Sequence, residues 1–156
     1  MKNQMLAAAV ALIALPGLAN AAEVFENWSA EKVDGRCTAW TKPVRVDGEQ
    51  REGAYLSIVN VPVEGVKNSV AFVFGKAGAG KAQASASVDG KTFELLTFDT
   101  AAFAASGSPE AELISAMRRG AEASVNWTEA DGSISKDSYS LKGFTAARNK
   151  IDGDCR

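Results

Sequence analysis

Residues 82–96 read AQASASVDGKTFELL, and this stretch decides the fold class. Alanine and serine alternate through residues 82–88, with the period of a β-strand that buries one face. Asp89-Gly90 follows, and residues 91–96 return with strand-forming side chains. An Asp-Gly pair between two such runs is typical of a type I′ turn, because both central residues of that turn need positive φ. The stretch therefore predicts a β-hairpin.

Strand features recur on both sides of this hairpin. Residues 55–63 are rich in β-branched residues, and Pro62 among them marks a strand end or an edge strand, because proline cannot donate to a ladder. The apolar run at residues 69–74 is typical of a strand that is buried on both faces. A second Asp-Gly pair, at residues 131–132, predicts another hairpin. Its strands are expected at residues 123–128 and 133–141, and weaker strands are expected at residues 28–33 and 38–46.

Two helices are predicted in the last third of the chain. The first begins with Ser108 as its N-cap and Pro109 as its first helical residue, and it ends before Gly120. The pair Arg118-Arg119 complements the dipole at the helix C-terminus, although a partner-binding role remains an alternative. The second helix is expected from Gly143 to about Ile151, with Phe144, Ala147 and Ile151 on one side.

These elements predict a mainly β protein. Seven or eight short strands joined by tight turns, with two short helices in the C-terminal third, indicate an antiparallel β-sandwich. Residues 75–80 and 101–107 are the loosest stretches, and we expect both to be surface loops.

The N-terminus has the features of a cleavable secretory signal at residues 1–21. Lys2 supplies the positive charge, residues 5–15 are apolar, and small residues occupy the two key positions of the triplet at residues 19–21. The apolar run is shorter than the roughly 20 residues that span a bilayer, so no membrane segment is expected after cleavage. We therefore expect a single domain at residues 22–156, in the periplasm or else surface-associated or secreted.

The chain has two cysteines, Cys37 and Cys155. An even cysteine count in an exported protein indicates one disulfide, which would tie the C-terminal tail to the N-terminal strands. Two free thiols or a metal site are the alternatives. Because the chain contains no histidine, it lacks the commonest general base and the commonest zinc ligand. No metal and no cofactor are therefore expected.

Composition and two short motifs argue against several functions. Seventeen basic and 19 acidic residues give a net charge of −2, unlike the concentrated positive charge of nucleic-acid-binding proteins. Residues 75–81 match the glycine and lysine positions of a P-loop, but Ala82 replaces the Mg²⁺-binding hydroxyl and a strand pattern follows instead of a helix. Ser133 and Lys136 have the spacing of the Ser/Lys pair of penicillin-interacting enzymes, but they lie on an alternating strand. We expect neither nucleotide binding nor this catalysis.

The remaining candidates for chemistry are carboxylates, tryptophans and two glycosylation sequons. The carboxylates are interpreted as residues of solvated strand faces and turns, and the tryptophans as core or rim anchors, with a sugar-stacking platform as the alternative. The sequons at Asn27 and Asn126 matter only in a host that glycosylates. The carboxylates are Glu94, Glu129, Asp131 and Asp137, and the tryptophans are Trp28, Trp40 and Trp127. No enzymatic activity is predicted.

The C-terminal third carries a recognisable pattern. Residues 108–120 read SPEAELISAMRRG, residues 138–147 read SYSLKGFTAA after a hairpin, and Cys155 closes the chain. Together they resemble the invasion associated locus B family of exported bacterial proteins. The resemblance implies a periplasmic or surface-associated β-sandwich, named for a member linked to host cell entry, with no established enzymatic activity. The motif positions are interpreted as a folding signature, and they are Tyr139, Leu141, Gly143, Phe144 and Ala147.

The predicted function is binding of another protein or an envelope component, linked to host cell invasion or envelope integrity. An envelope enzyme or enzyme inhibitor is the alternative, and a host-interaction factor at the cell surface is a third hypothesis. A binding protein should expose an apolar patch or an open sheet edge, for which the strand containing Pro62 is the candidate. An enzyme should instead have a closed pocket with converging carboxylates of perturbed pKa.

Overall fold

The structure, a computed structural model, describes residues 21–46 and 51–156. The predicted secretory signal, apart from Ala21, lies outside the described residues. The described residues form one antiparallel sheet of 11 strands with two α-helices late in the sequence, so the predicted fold class is confirmed with more strands than expected. The strands are β1 Glu23–Phe25, β2 Trp28–Val33, β3 Arg36–Thr41, β4 Arg45–Val46, β5 Ala54–Val61, β6 Val66–Phe74, β7 Ala84–Val88, β8 Lys91–Phe98, β9 Ala101–Ala104, β10 Glu122–Thr128 and β11 Ile134–Ser140; the helices are α1 Ser108–Arg119 and α2 Phe144–Asp154.

The sheet folds over so that its two ends face each other. Its strand order is β1-β2-β3-β5-β6-β9-β8-β7-β10-β11-β4. Phe72 and Phe74 of β6 meet Tyr139 of β11 and Trp127 of β10 across the core, with ring centroids 5.9 Å and 4.1 Å apart. The sandwich therefore consists of two halves of one sheet that pack face to face.

Strand β8 belongs to both halves. Its first part pairs with β7 from Lys91 to Leu95, and its last part pairs with β9 from Leu95 to Phe98. The turn between β7 and β8 has Asp89 at φ 46° and Gly90 at φ 87°, as the Asp-Gly pair predicts. The second predicted hairpin is also present, as β10 and β11.

Three predicted elements differ in the structure. The strand expected at residues 38–46 breaks at Lys42–Val44, since Pro43 cannot donate to a ladder, and β4 pairs instead with β11 at the other end of the sheet. Pro62 ends β5 and opens a 3-10 turn over Pro62–Glu64, but β5 is no edge strand because it lies between β3 and β6. Part of the expected loop at 101–107 is strand β9, whose alanines carry little strand signal of their own.

The helix ends also differ from the prediction. Gly107 is the N-cap of α1 and makes no side-chain cap hydrogen bond, so Ser108 is the first helical residue and not the cap. Helix α2 extends to Asp154, beyond the expected end at Ile151. Both helices bury one apolar stripe against the sheet, consisting of Leu113, Ile114 and Met117 in α1 and Phe144, Ala147 and Ile151 in α2.

The predicted disulfide between Cys37 and Cys155 is present. It joins β3 to the residue that follows α2, across 118 positions of sequence. Cys37 is completely buried, so the bond fastens the end of the chain to the core.

Candidate functional site

A row of residues crosses the outer surface of the sheet. Directly opposite residues of an antiparallel sheet point to the same side, so a row of paired residues shares one surface. The pairs Trp40–Ser57, Ser57–Ala71, Ala71–Phe103 and Phe103–Leu96 form one such row across β3, β5, β6, β9 and β8. Their sequence neighbours Leu56, Phe72 and Ala102 are fully buried and point into the core. The row therefore lies on the side of the sheet that faces away from the core.

A second row runs beside the first. It pairs Tyr55 with Val73, Val73 with Ala101, and Ala101 with Phe98. Tyr55 is 37% exposed, Leu96 55% and Phe98 65%, and the Phe98 ring meets the Phe103 ring edge-on at 6.0 Å. We call this surface the aromatic face and define it as Trp40, Tyr55, Val73, Leu96, Phe98 and Phe103.

The rest of the outer surface differs sharply in chemistry. Across β8, β7, β10 and β11, the opposite residues Thr92, Ser87, Ser124 and Ser138 form a row of hydroxyl groups. The side chains of the aromatic face are therefore confined to β3, β5, β6, β9 and the second half of β8. Contiguous exposed apolar residues bordered by polar ones are typical of an interaction surface.

A groove of about 1000 Å³ lies alongside β8. Its walls come from β8, from the segment that leads into β7, and from the start of α1. Leu96 and Phe98 belong to both the groove and the aromatic face. The groove is lined by Lys81, Ala82, Gln83, Ala84, Ser85, Thr92, Phe93, Glu94, Leu95, Leu96, Thr97, Phe98, Ala105, Ser108, Pro109 and Glu112.

Glu112 of the groove wall forms an ion pair with Lys91. Lys91 Nζ lies 3.1 Å from Glu112 Oε2, and both side chains are largely exposed. The same ammonium lies 5.0 Å from the centre of the Phe93 ring. Glu94 is exposed on the outer side of β8. The groove therefore offers both apolar and charged contacts to a ligand.

Asp137 lies in a buried polar cluster, so its interpretation as a solvated residue is wrong. Its carboxylate is fully buried and pairs with Arg51, and it accepts a hydrogen bond from Trp127 Nε1 at 3.3 Å. Tyr139 is buried two residues further along β11, and burial, followed by the charge of Asp137, raises the pKa of its hydroxyl far above the usual range. The register of β11 explains the error, because Asp137 and Tyr139 share the inward side of the strand.

The other two acidic candidates in this region support the β10–β11 hairpin. Glu129 binds Lys76 at 2.6 Å and accepts a hydrogen bond from Ser135, and these contacts lower the pKa of its carboxyl. Asp131 accepts hydrogen bonds from the hydroxyl and the backbone N–H of Ser133, which lower the pKa of its carboxyl. Both carboxylates therefore have partners within the protein.

The P-loop-like segment is bound to the protein itself. The Gly78 N–H donates to Asp99 O at 2.6 Å, and the Ala79 N–H donates to Thr128 O at 2.9 Å. The segment leads into strand β7 and not into a helix. Lys136, the partner in the Ser/Lys spacing, lies on β11 opposite Asn126, whereas the Ser133 hydroxyl binds Asp131.

The five family-motif positions lie where β11 meets α2. Tyr139, Leu141, Phe144 and Ala147 are buried, and the Phe144 ring lies 4.9 Å from the Trp28 ring. Gly143 has φ 89°, and a Cβ atom there would lie 1.8 Å from Phe25 O. None of the five belongs to the aromatic face.

A model of the invasion associated locus B (IalB) protein family matches residues 27–152. The chain belongs to this family. The match covers everything from the start of β2 into α2, and with it the aromatic face and the groove. No curated protein and no solved structure has significant similarity to the chain. IalB membership indicates an exported bacterial protein linked to invasion, and the disulfide is consistent with a location outside the cytoplasm.

None of the helices at residues 21–46 and 51–156 is long and apolar enough to cross a membrane. Within the same ranges, no three cysteine, aspartate or glutamate side chains come together as a metal site.

The aromatic face was not predicted from the sequence. The signal was present in β8, where Phe93 and Leu95 alternate with Glu94 and Leu96. Once Phe93 and Leu95 point inward, Leu96 and Phe98 must point outward. The alignment of β8 beside β9 and β6 could not be read from sequence, because it depends on the strand order of the folded sheet.

Proposed function

We propose that this IalB protein is a non-catalytic binding protein of the bacterial envelope, in the periplasm or at the cell surface, and that the aromatic face contacts its partner. The observation that carries the proposal is the exposure of Leu96 and Phe98, at 55% and 65%, beside Phe103 and Tyr55. Exposed apolar side chains gain about 25 cal/mol for each Å² removed from water. A partner that covers these residues would therefore be stabilised by this hydrophobic free energy.

The composition of the aromatic face supports a protein partner or another envelope component with an apolar surface. Aromatic residues are enriched in protein interfaces, because they bury a large area with few rotatable bonds. Trp40, Tyr55, Phe98 and Phe103 supply such anchors on four different strands. Regular strands hold these side chains in place before the partner arrives, which lowers the entropy cost of binding.

The ion pairs of three acidic groups support the non-catalytic part of the proposal. Glu112 in the groove pairs with Lys91, and Glu129 pairs with Lys76. Asp137 is held in the core by Arg51. Acid/base catalysis needs a carboxyl group within hydrogen-bond reach of substrate, and these three groups are instead engaged by cations of the same chain.

Binding to an isolated envelope fraction tests the proposal. Purified protein is mixed with envelopes from the producing bacterium, the envelopes are sedimented, and the bound fraction is measured over a range of protein concentrations. The double variant Leu96→Ser/Phe98→Ser should bind at least tenfold more weakly, a loss of about 1.4 kcal/mol. Its thermal unfolding should stay close to that of the unchanged protein, because both side chains are already exposed.

A matched control separates the aromatic face from general hydrophobicity. Val63 and Ile134 are 89% and 78% exposed and lie outside the aromatic face. The double variant Val63→Ser/Ile134→Ser should bind the envelope fraction as the unchanged protein does. Equal binding by all three proteins would contradict the proposal, as would hydrolase activity that is lost on substitution of Glu94 or Glu112.

A further inference from the structure

Within the part of the chain that the structure describes, strand β8 has backbone groups without a ladder partner on both of its edges. In the two-residue turn between β7 and β8, Val88 and Lys91 are the closing pair, so the N–H and C=O groups of Lys91, Phe93 and Leu95 point toward β7. Those of the even-numbered residues point toward the opposite edge. On that edge, β9 pairs only from Leu95 onward. The backbone groups of Thr92 and Glu94 therefore face a part of the edge where residues 21–46 and 51–156 place no neighbouring strand.

The two unpaired stretches of β8 differ in how accessible they are to a binding partner. The backbone groups of Thr97 point toward the β7 side of β8. The β7–β8 ladder ends at the pair Ala84–Leu95, so β7 does not extend beside Thr97. That gap is closed at its far end by the hydrogen bond of 2.6 Å from Gly78 N–H to Asp99 O. Among the described residues, the ion pair between Lys91 and Glu112 bridges the gap beside Thr92 and Glu94, and its side chains are 59% and 61% exposed. Exposed ion pairs contribute little free energy, so this end of the groove opens at small cost.

The wall opposite the Thr92–Glu94 edge is formed by the start of α1. Ala105, Ser108, Pro109 and Glu112 line the groove there, facing the first half of β8. If the added strand belonged to a second folded sheet, the next strand of that sheet would clash with the start of α1. A single extended chain has no such neighbour, and the free N–H and C=O groups of Thr92 and Glu94 are the partners that its backbone needs.

Building on the proposed function, we propose that the partner contributes an extended polypeptide segment that adds to β8 as a strand along the Thr92–Glu94 edge. Glu94 is exposed and has no ion pair within the ranges that the structure describes, so the segment carries a lysine or arginine opposite it. Apolar side chains at alternate positions of the segment contact Phe93 and Pro109. The remainder of the partner rests on Leu96 and Phe98 of the aromatic face.

A peptide of nine residues with alternating valine and lysine is the probe for this site. It is added to isotope-labelled protein, and backbone amide signals are followed by NMR up to about 1 mM peptide, the range of weak complexes. We expect the Thr92 and Glu94 amide signals to shift and their hydrogen exchange to slow, because these N–H groups acquire acceptors. The same peptide with alternate backbone amides methylated should bind at least tenfold more weakly.

A proline variant tests the edge directly. Glu94→Pro removes an N–H that points to the free edge and leaves the β7 ladder intact, so the strand should tolerate it. This variant should lose peptide binding, whereas Glu94→Gln should keep the backbone contacts and bind a few-fold more weakly. Should the proline variant fail to fold, the methylated peptide still decides the question. Unshifted Thr92 and Glu94 amides, or equal binding of the methylated peptide, would overturn strand addition.

The proposed function and strand addition can fail separately. If Leu96→Ser/Phe98→Ser loses envelope binding while Glu94→Pro binds envelopes as the unchanged protein does, the aromatic face is the binding surface and strand addition is wrong. If only Glu94→Pro loses envelope binding, strand addition stands and the aromatic face is not the contact.

Discussion

The side chains of Phe74 and Trp127 stack on each other across the core, with ring centroids 4.1 Å apart and planes 3° from parallel. Phe74 ends β6 and Trp127 lies near the end of β10, so the pair joins the two halves of the folded sheet. Both residues are buried. The Arg51 guanidinium lies 5.1 Å from the Trp127 ring and continues this contact toward Asp137.

We predict that Phe74→Ala lowers the free energy of unfolding by about 3 to 5 kcal/mol, since it removes a buried ring and leaves a cavity between the sheet halves. Urea unfolding followed by Trp fluorescence measures the change. Val63→Ala is the control, because this side chain is 89% exposed and its removal should change stability by less than about 0.5 kcal/mol. Similar losses in both variants would contradict the role of Phe74.

The variant Arg51→Met should lower the free energy of unfolding by about 3 to 5 kcal/mol, because it leaves the Asp137 carboxylate buried without its counter-charge. The double variant Arg51→Met/Asp137→Leu should recover much of this loss, since no charge then remains in the core. Chemical unfolding of the three proteins supplies the comparison. A double variant that is less stable than Arg51→Met would show that the unpaired Asp137 carboxylate is not the cause of the loss.

Removal of the disulfide by Cys37→Ala/Cys155→Ala should lower the free energy of unfolding by about 2 to 5 kcal/mol. Hydrogen exchange should also become faster in α2, because the bond attaches the residue after this helix to β3. Unfolding of the unchanged protein in reducing buffer is the matched control and should show the same loss. Rapid labelling of both cysteines by a thiol reagent in the native oxidised protein would contradict the presence of this disulfide.

The variant Gly143→Ala should be destabilised by more than about 1 kcal/mol. Its backbone has φ 89°, and the added Cβ would lie 1.8 Å from Phe25 O, so β1 or α2 must shift. Gly153→Ala is the contrasting variant, since Gly153 lies within α2 with open space around it. This second change should stabilise the protein by up to about 1 kcal/mol through helix propensity. Thermal unfolding that ranks the two variants in the opposite order would refute this account of the family motif.

Local signals in the sequence predicted much of the fold. The Asp89-Gly90 turn, the hairpin of β10 and β11, both helices and the disulfide all rest on patterns within short stretches or on residue counts, and the structure confirms them. Strand β9 was not predicted, because its alanines have weak strand propensity. Pairing with β6 and β8 stabilises its extended conformation.

The aromatic face and the buried Asp137 depend on long-range pairing. The side to which a strand residue points follows from the register, and a shift by one residue reverses every side chain. Asp137 points inward because it shares a side with Tyr139, and Leu96 points outward because it lies opposite Phe103. Both side-chain orientations depend on the strand order of the folded sheet, which short sequence patterns do not contain.

Photo-crosslinking in living cells tests the proposed contact surface most directly. A photoreactive phenylalanine derivative is placed at Phe98, or at Ile134 as an exposed apolar position outside the aromatic face. After irradiation, we expect a discrete adduct in the envelope fraction from position 98 only, with a yield that falls when Leu96 is changed to Ser. Adducts of equal yield from both positions, or an adduct from position 134 alone, would contradict the account.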